Sequence, residues 1–184
     1  MKVTPTALPE VLVLEPRVFR DARGSLYESF QIERYASAGI QGPFVQENVS
    51  HSVRGTLRGL HFQEPRPQGK LVQVLRGRIY DVAVDVRIGS PRFGRWVAVE
   101  LSDEVPIQLW IPQGFAHGFS VLSEVADVAY KCTALWAPDA DRGIAWNDPQ
   151  IGIAWPTREP LLSDKDQSAP RLADAPVLPR FPGA

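Results

Sequence analysis

The chain has 184 residues, enough for one domain with a sizeable core. Hydrophobic residues make up 44% and charged residues 22%, and the formal net charge is −1. This is the composition of a soluble globular protein, without the basic excess that nucleic-acid or anionic-membrane binding favours. The single cysteine, Cys132, cannot form an internal disulfide, so the cytoplasm is the expected compartment.

In chain order, the apolar run Val11–Leu14 is too short for a signal-peptide core or a membrane span. Ile32–Ala38 reads as a short helix stopped by Gly39. Short strand-like runs then follow: Thr56–Phe62, Lys70–Arg76, Ile79–Val86, Trp96–Leu101, Gln108–Ile111, Phe119–Leu122 and Val125–Thr133. Alternation in Ile79–Val86 puts Tyr80, Val82, Val84 and Val86 on one face and Asp81, Ala83 and Asp85 on the other. Gly- and Pro-rich punctuation between so many short strands predicts an all-β sandwich or barrel. Asp164–Ser168 reads as a short turn. The tail from about 169 to 184, with Pro170, Pro176, Pro179 and Pro182, is expected to run extended. Residues 1–184 read as one domain, with an extended N-terminal segment.

Four clusters carry candidate chemistry. In Arg58-Gly59-Leu60-His61, a regular strand would put Arg58 and His61 on opposite faces, and a bulge at Gly59 would unite them. The bland alternative is a surface arginine and a core histidine. Pro112-Gln113-Gly114 followed by His117 resembles the second motif of cupins. The chain has only His51, His61 and His117, and no His-x-His pair with a nearby glutamate, so no metal is expected. Tyr130-Lys131 lies in a strand, where a tyrosine usually packs. Ser163-Asp164-Lys165-Asp166 would ordinarily be a solvated turn. Asp81 and Asp85 either point into a polar mouth, supporting His117 or Lys70, or are solvated. His51 takes no assigned role.

An ordered set of segments resembles the dTDP-4-dehydrorhamnose 3,5-epimerases. The set comprises Asp21-Ala22-Arg23-Gly24, Gln46-Glu47-Asn48-Val49-Ser50, Arg58 to Gln63, Lys70-Leu71-Val72, Ser90 to Gly94, Ile111 to Phe119, Tyr130 to Thr133, Trp146 to Pro149 and Leu162 to Asp166. The resemblance implies a cupin-type jelly-roll barrel with a few short helices, a homodimer, and neither metal nor organic cofactor. It implies a dTDP-4-keto-6-deoxyhexose substrate epimerised at C3 and C5. The matching positions make His61 the base, Asp166 its partner, Tyr130 the acid and Lys70 the group near the substrate's O4. Arg23, Glu28, Gln46, Asn48, Arg58, His117, Trp136, Asp141 and Lys165 fall at ligand-contact positions, some supplied by the partner subunit. Glu47, Trp136 and Asp141 depart from the common aspartate, tyrosine and glutamate. Alternatives are a single-site epimerase, a ketoisomerase, a non-catalytic sugar-nucleotide-binding cupin and a metal-dependent cupin.

Overall fold

A computed structural model describes residues 1–40 and 42–183. One six-stranded antiparallel sheet contains β1 (Lys2–Pro5), β2 (Leu12–Glu15), β10 (Gln108–Ile111), β7 (Lys70–Arg76), β12 (Val125–Cys132) and β5 (Gln46–Val53), in that spatial order. A five-stranded antiparallel sheet orders β13 (Asp141–Gly143), β6 (Leu57–Gln63), β11 (Phe115–Val121), β8 (Arg78–Asp85) and β9 (Trp96–Ser102). A hairpin of β3 (Val18–Asp21) and β4 (Gly24–Tyr27) stands apart from both. Two short helices, α1 (Ile32–Ser37) and α2 (Asp164–Gln167), and a 3-10 turn at Leu172–Asp174 complete the elements. The expected all-β, cupin-type jelly roll is what the chain forms.

The two sheets face each other across an apolar core. Val72, Val74, Leu109, Ile111 and Val128 from one meet Ile79, Ala83, Leu101, Phe115 and Phe119 from the other. The back of the five-stranded sheet is covered as well. Val82, Val84 and Leu60 pack there against Ile144, Ile151 and Leu172. β8 is therefore buried on both faces, and its inward aspartates are not solvated: Asp81 and Asp85 are both 0% exposed. Asp85 is held by the guanidinium of Arg87 at 2.7 Å and by the Ser90 hydroxyl at 2.6 Å. The tail crosses the same side, where Phe181 packs on the Arg87 guanidinium.

Several boundaries differ from the sequence reading. β11 begins at Phe115 rather than Phe119, because the Pro-Gln-Gly turn ends at Gly114 and every residue after it is buried. α1 ends at Ser37, with Ala38 as its cap and Gly39 at φ +82°. The sequence reading did not identify β1, β2, β3, β4, β5 and β13 as strands.

One irregularity positions the site. Against β11, His61 pairs with His117 and Arg58 with Phe119, so β6 carries one extra residue between them. Arg58 and His61 thereby share the inward face, as a bulge at Gly59 would require. Gly59 has φ +127°, and a Cβ there would lie 2.5 Å from Gly118 Cα and 2.8 Å from the His117 carbonyl oxygen. Backbone surrounds the position, so nothing yields cheaply. Gly59→Ala is expected to lower stability by about 2 kcal/mol or more, read as a shift in the urea midpoint.

Candidate active site

A cavity of about 380 Å³ opens between the sheets at the end where β6, β7 and β12 present polar side chains. Its walls include Gln46 and Asn48 from β5, His61 and Gln63 from β6, Lys70 from β7 and Tyr130 from β12. Trp136, Asp141 and Lys165 complete the rim. Gln46 and Asn48 alternate with exposed Glu47 and Val49, so β5 turns its polar residues inward to face the cavity.

His61 is partly exposed to this cavity, whereas Asp166 behind it is 4% exposed. The two are 2.5 Å apart, Nε2 to Oδ1. Ser163 caps α2 by accepting from the Asp166 N–H at 3.2 Å, which fixes the carboxylate's place. Burial opposes ionisation of Asp166, but hydrogen bonds from His61, Ser163 and the Gly59 N–H outweigh it and hold the carboxyl below its usual range. An ionised carboxylate only accepts, so Nε2 carries the ring proton and Nδ1 keeps its lone pair. Burial also lowers the imidazole's pKa, over the raising effect of Asp166, and nearby Lys70 and Lys165 reinforce the lowering. The pair thus rests as neutral imidazole beside carboxylate, the state a general base needs.

Lys70 makes no hydrogen bond or ion pair among the described residues. Burial pulls its ammonium pKa down, while Cys132, Asp141 and Asp81 raise it. Tyr130 sits two register pairs from Lys70, opposite Asn48 on one side and Val72 on the other. Burial pushes its phenol up, Cys132 adds to the rise, and Arg58 offsets only part of it.

At the rim, Lys165 is ion-paired with Asp141. The Trp136 indole N–H donates to the same carboxylate oxygen at 3.3 Å. Gln63 and Gln68 were not singled out from the sequence. Their amides anchor the 134–137 loop through Leu135, Ala137 and Ala134. Gln63 closes the Arg58 to Gln63 segment but was given no role there, and no motif marked Gln68.

Eight of the anticipated site residues line the cavity: Gln46, Asn48, His61, Lys70, Tyr130, Trp136, Asp141 and Lys165. Asp166 joins them through His61. Arg58 is exposed and lies off the cavity wall, with its Nε donating to the Ser52 hydroxyl at 3.0 Å. His117 is not on the cavity wall but 6% exposed inside the barrel, 2.7 Å from Asp81. Arg23 and Glu28 are not brought to the cavity within one chain. Arg23 pairs with Asp21 beside the β3–β4 turn, and Glu28 with Arg34. His51 is exposed and faces Asp127 at 2.5 Å. Each histidine thus has its own aspartate, and no three His, Cys, Asp or Glu side chains form a metal-ligand set among the described residues.

Fold and site define a class: a cupin-type jelly roll whose mouth holds a histidine–aspartate pair beside a lysine and a tyrosine. The sequence model of the dTDP-4-dehydrorhamnose 3,5-epimerase family matches residues 5–174, and the chain belongs to that family. It is 52% identical over 181 residues to a Pseudomonas aeruginosa dTDP-4-dehydrorhamnose 3,5-epimerase, covering 97% of this chain and 100% of the relative. The crystal structure of the Legionella pneumophila 3,5-epimerase, in complex with dTDP-4-keto-L-rhamnose, superposes with TM-score 0.94 at 50% identity, covering 98% of each chain. A 3′-monoepimerase from Streptomyces bikiniensis, in complex with dTDP-quinovose, superposes with TM-score 0.90 at 40% identity over 96% of this chain and 92% of that one.

The two pKa directions fix a stability profile. His61 is lowered from 6.5 on folding, so below that pH the unfolded chain binds the proton first and acid favours unfolding. Asp166 is lowered from 3.8, so its contribution is complete above that pH and lost as pH falls through its folded value. The urea midpoint should therefore fall as pH drops below 6.5 and continue to fall below 3.8. His61→Asn should flatten the first descent.

Proposed function

We propose that the protein epimerises dTDP-4-dehydro-6-deoxy-D-glucose at C3 and C5, giving dTDP-4-dehydro-L-rhamnose. The observation that carries this reading is the His61–Asp166 pair, opening with Lys70 and Tyr130 onto one cavity. A ketone at C4 acidifies the hydrogens at C3 and C5. His61 takes one as a proton, and Asp166 orients the ring and stabilises the imidazolium that forms. The charge moves to O4, where the Lys70 ammonium meets it. Tyr130 returns a proton from the opposite face, which inverts the centre, and solvent restores both groups. No metal or organic cofactor enters these steps.

The nucleotide is held at the rim. Trp136 offers an aromatic face, Gln46, Asn48 and Lys165 offer polar contacts, and Arg58 and His117 are further ligand contacts in this reading. Asp141 bears on the ligand through its ties to Lys165 and Trp136. Arg23 and Glu28 come from a second subunit of a homodimer. Support for this comes from the β3–β4 hairpin, which holds Phe19 and Leu26 exposed, and from Val49, Val53 and Leu75 on the open face of β5 and β7. The cytoplasm is the compartment proposed. Among the described residues no helix is long and apolar enough to cross a membrane. Residues 1–184 are taken as one domain. Epimerisation at one carbon only is the second reading, favoured by the 40% identity to the Streptomyces bikiniensis 3′-monoepimerase.

Proton NMR of the 4-keto-6-deoxy substrate in heavy water tests the reading. Both the C3 and C5 signals should disappear, and His61→Ala should abolish the loss. Disappearance of one signal makes the protein a single-site epimerase, and disappearance of neither removes the reading. Subunit sharing is tested by co-expressing Arg23→Glu with His61→Ala. If Arg23 serves the partner's site, each mixed dimer keeps one intact site, and about a quarter of wild-type activity should return. No return would leave Arg23 outside any shared site.

A further inference from the structure

The part of the cavity wall that carries Trp136 is built without a strand. Residues 134–137 follow β12 and belong to neither sheet. Trp136 is 56% exposed and Leu135 65% exposed, so packing does not locate this stretch. Glutamine side chains do. Gln68 Nε2 donates to the Ala134 carbonyl at 2.6 Å, and Gln63 Nε2 donates to the Leu135 carbonyl at 3.3 Å. The Trp136 N–H donates to Gln46 Oε1 at 2.7 Å, and the Ala137 N–H donates to Gln63 Oε1 at 2.8 Å. Four consecutive residues thus each give one backbone group to a glutamine. The anchors come from both sides of the cavity, because Gln46 lies on β5 of the six-stranded sheet and Gln63 on β6 of the five-stranded sheet.

Gln63 holds the centre of this arrangement. It is 4% exposed and grips the residues on either side of Trp136. Its amide also donates to the Arg66 carbonyl at 3.0 Å. A primary amide has two hydrogens, so both are spent within the protein. Gln63 borders the cavity yet keeps no N–H for a ligand. Resting on the epimerase reading, we propose that Gln63 is a positioning residue for the nucleotide and acts through Trp136. By holding Leu135 and Ala137 it fixes the backbone of Trp136, and with it the place of the indole at the mouth. The indole N–H then reaches Asp141 at 3.3 Å, the carboxylate that pairs with Lys165. An aromatic wall fixed before the ligand arrives costs the complex less ordering entropy than one gathered on binding. Gln68 holds the start of the same loop and contributes in the same sense.

The test is a double-mutant cycle on dTDP affinity, read by calorimetry, with Gln63→Met and Trp136→Ala. Methionine keeps the length of the side chain and removes its hydrogen bonds. Gln63→Met should weaken dTDP binding by about tenfold, the loss expected when buried backbone groups lose their partners. KM for deuterium wash-in should rise in step, and kcat should fall by less than KM rises. Added to Trp136→Ala, Gln63→Met should cost less than about a further twofold, because the group it positions is gone. Equal losses in both backgrounds would mean that Gln63 works apart from Trp136 and would overturn the proposal, as would wild-type affinity in Gln63→Met. If Gln63→Met does not fold, Gln68→Met takes its place in the cycle. It should weaken binding in the wild-type background and not in Trp136→Ala, and wild-type affinity or full additivity there would equally overturn the proposal. Wild-type protein that binds dTDP but exchanges no deuterium would remove the epimerase reading and not the role of Gln63, which the affinities decide by themselves. Wild-type protein that does not bind dTDP would remove both.

Discussion

The hydrogen bond between His61 and Asp166 ties the site to the fold. The two residues are 105 positions apart in sequence and 2.5 Å apart in space. His61 owes its orientation to the extra residue in β6, which the absence of side chains at Gly59 and Gly118 permits. Asp166 owes its orientation to α2, a single turn whose Ser163 cap and Asp166–His61 contact act together. Neither partner would be useful alone. Without the carboxylate, His61 has no fixed tautomer, and without the histidine, Asp166 is a buried charge with only Ser163 and a backbone N–H to satisfy it.

From this pair outward the barrel grades from apolar to polar. Phe115, Phe119, Val72 and Val128 close the inner core. Asp81 and His117 are buried in the barrel, Lys70 and Tyr130 open onto the cavity, and Trp136, Asp141 and Lys165 complete its lining. This layering accounts for the electrostatics. Lys70 and His61 are buried enough for the charged form of each to be disfavoured, yet each lies near a carboxylate that resists the change. A neutral base and a cationic partner in one small cavity are what enolate chemistry next to a ketone requires.

Much of the barrel was legible in the sequence because its strands obey hydrophobic patterning. β7 and β10 fall at Lys70–Arg76 and Gln108–Ile111, as their apolar runs indicate. β5 escaped for a physical reason. Its inward residues are Gln46, Asn48, Ser50 and Ser52, while Val49 and Val53 point outward and are exposed. The usual alternation is inverted because one end of the strand lines a polar cavity and its outer face is open. The hairpin carrying Arg23 was invisible for the opposite reason: it packs on neither sheet, so no periodicity marks it. Among site residues, the bulge at Gly59 was readable from glycine beside histidine. The choice of Asp166 over Asp164 or Asp148 came from the family resemblance and not from the residue pattern, because only tertiary folding brings one of them to His61. Asp148 in fact caps the backbone of Gln150 and Leu172.

Asp166→Asn tests the central claim most directly, with deuterium wash-in at the substrate measured beside dTDP affinity. Asparagine preserves shape and leaves the nucleotide rim untouched, but it neither stabilises the imidazolium nor enforces the tautomer. The expected result is a fall in wash-in of about 10²–10⁴-fold with dTDP affinity unchanged. Wash-in at the wild-type rate would contradict the account, because the histidine would then be acting without the partner on which its role depends.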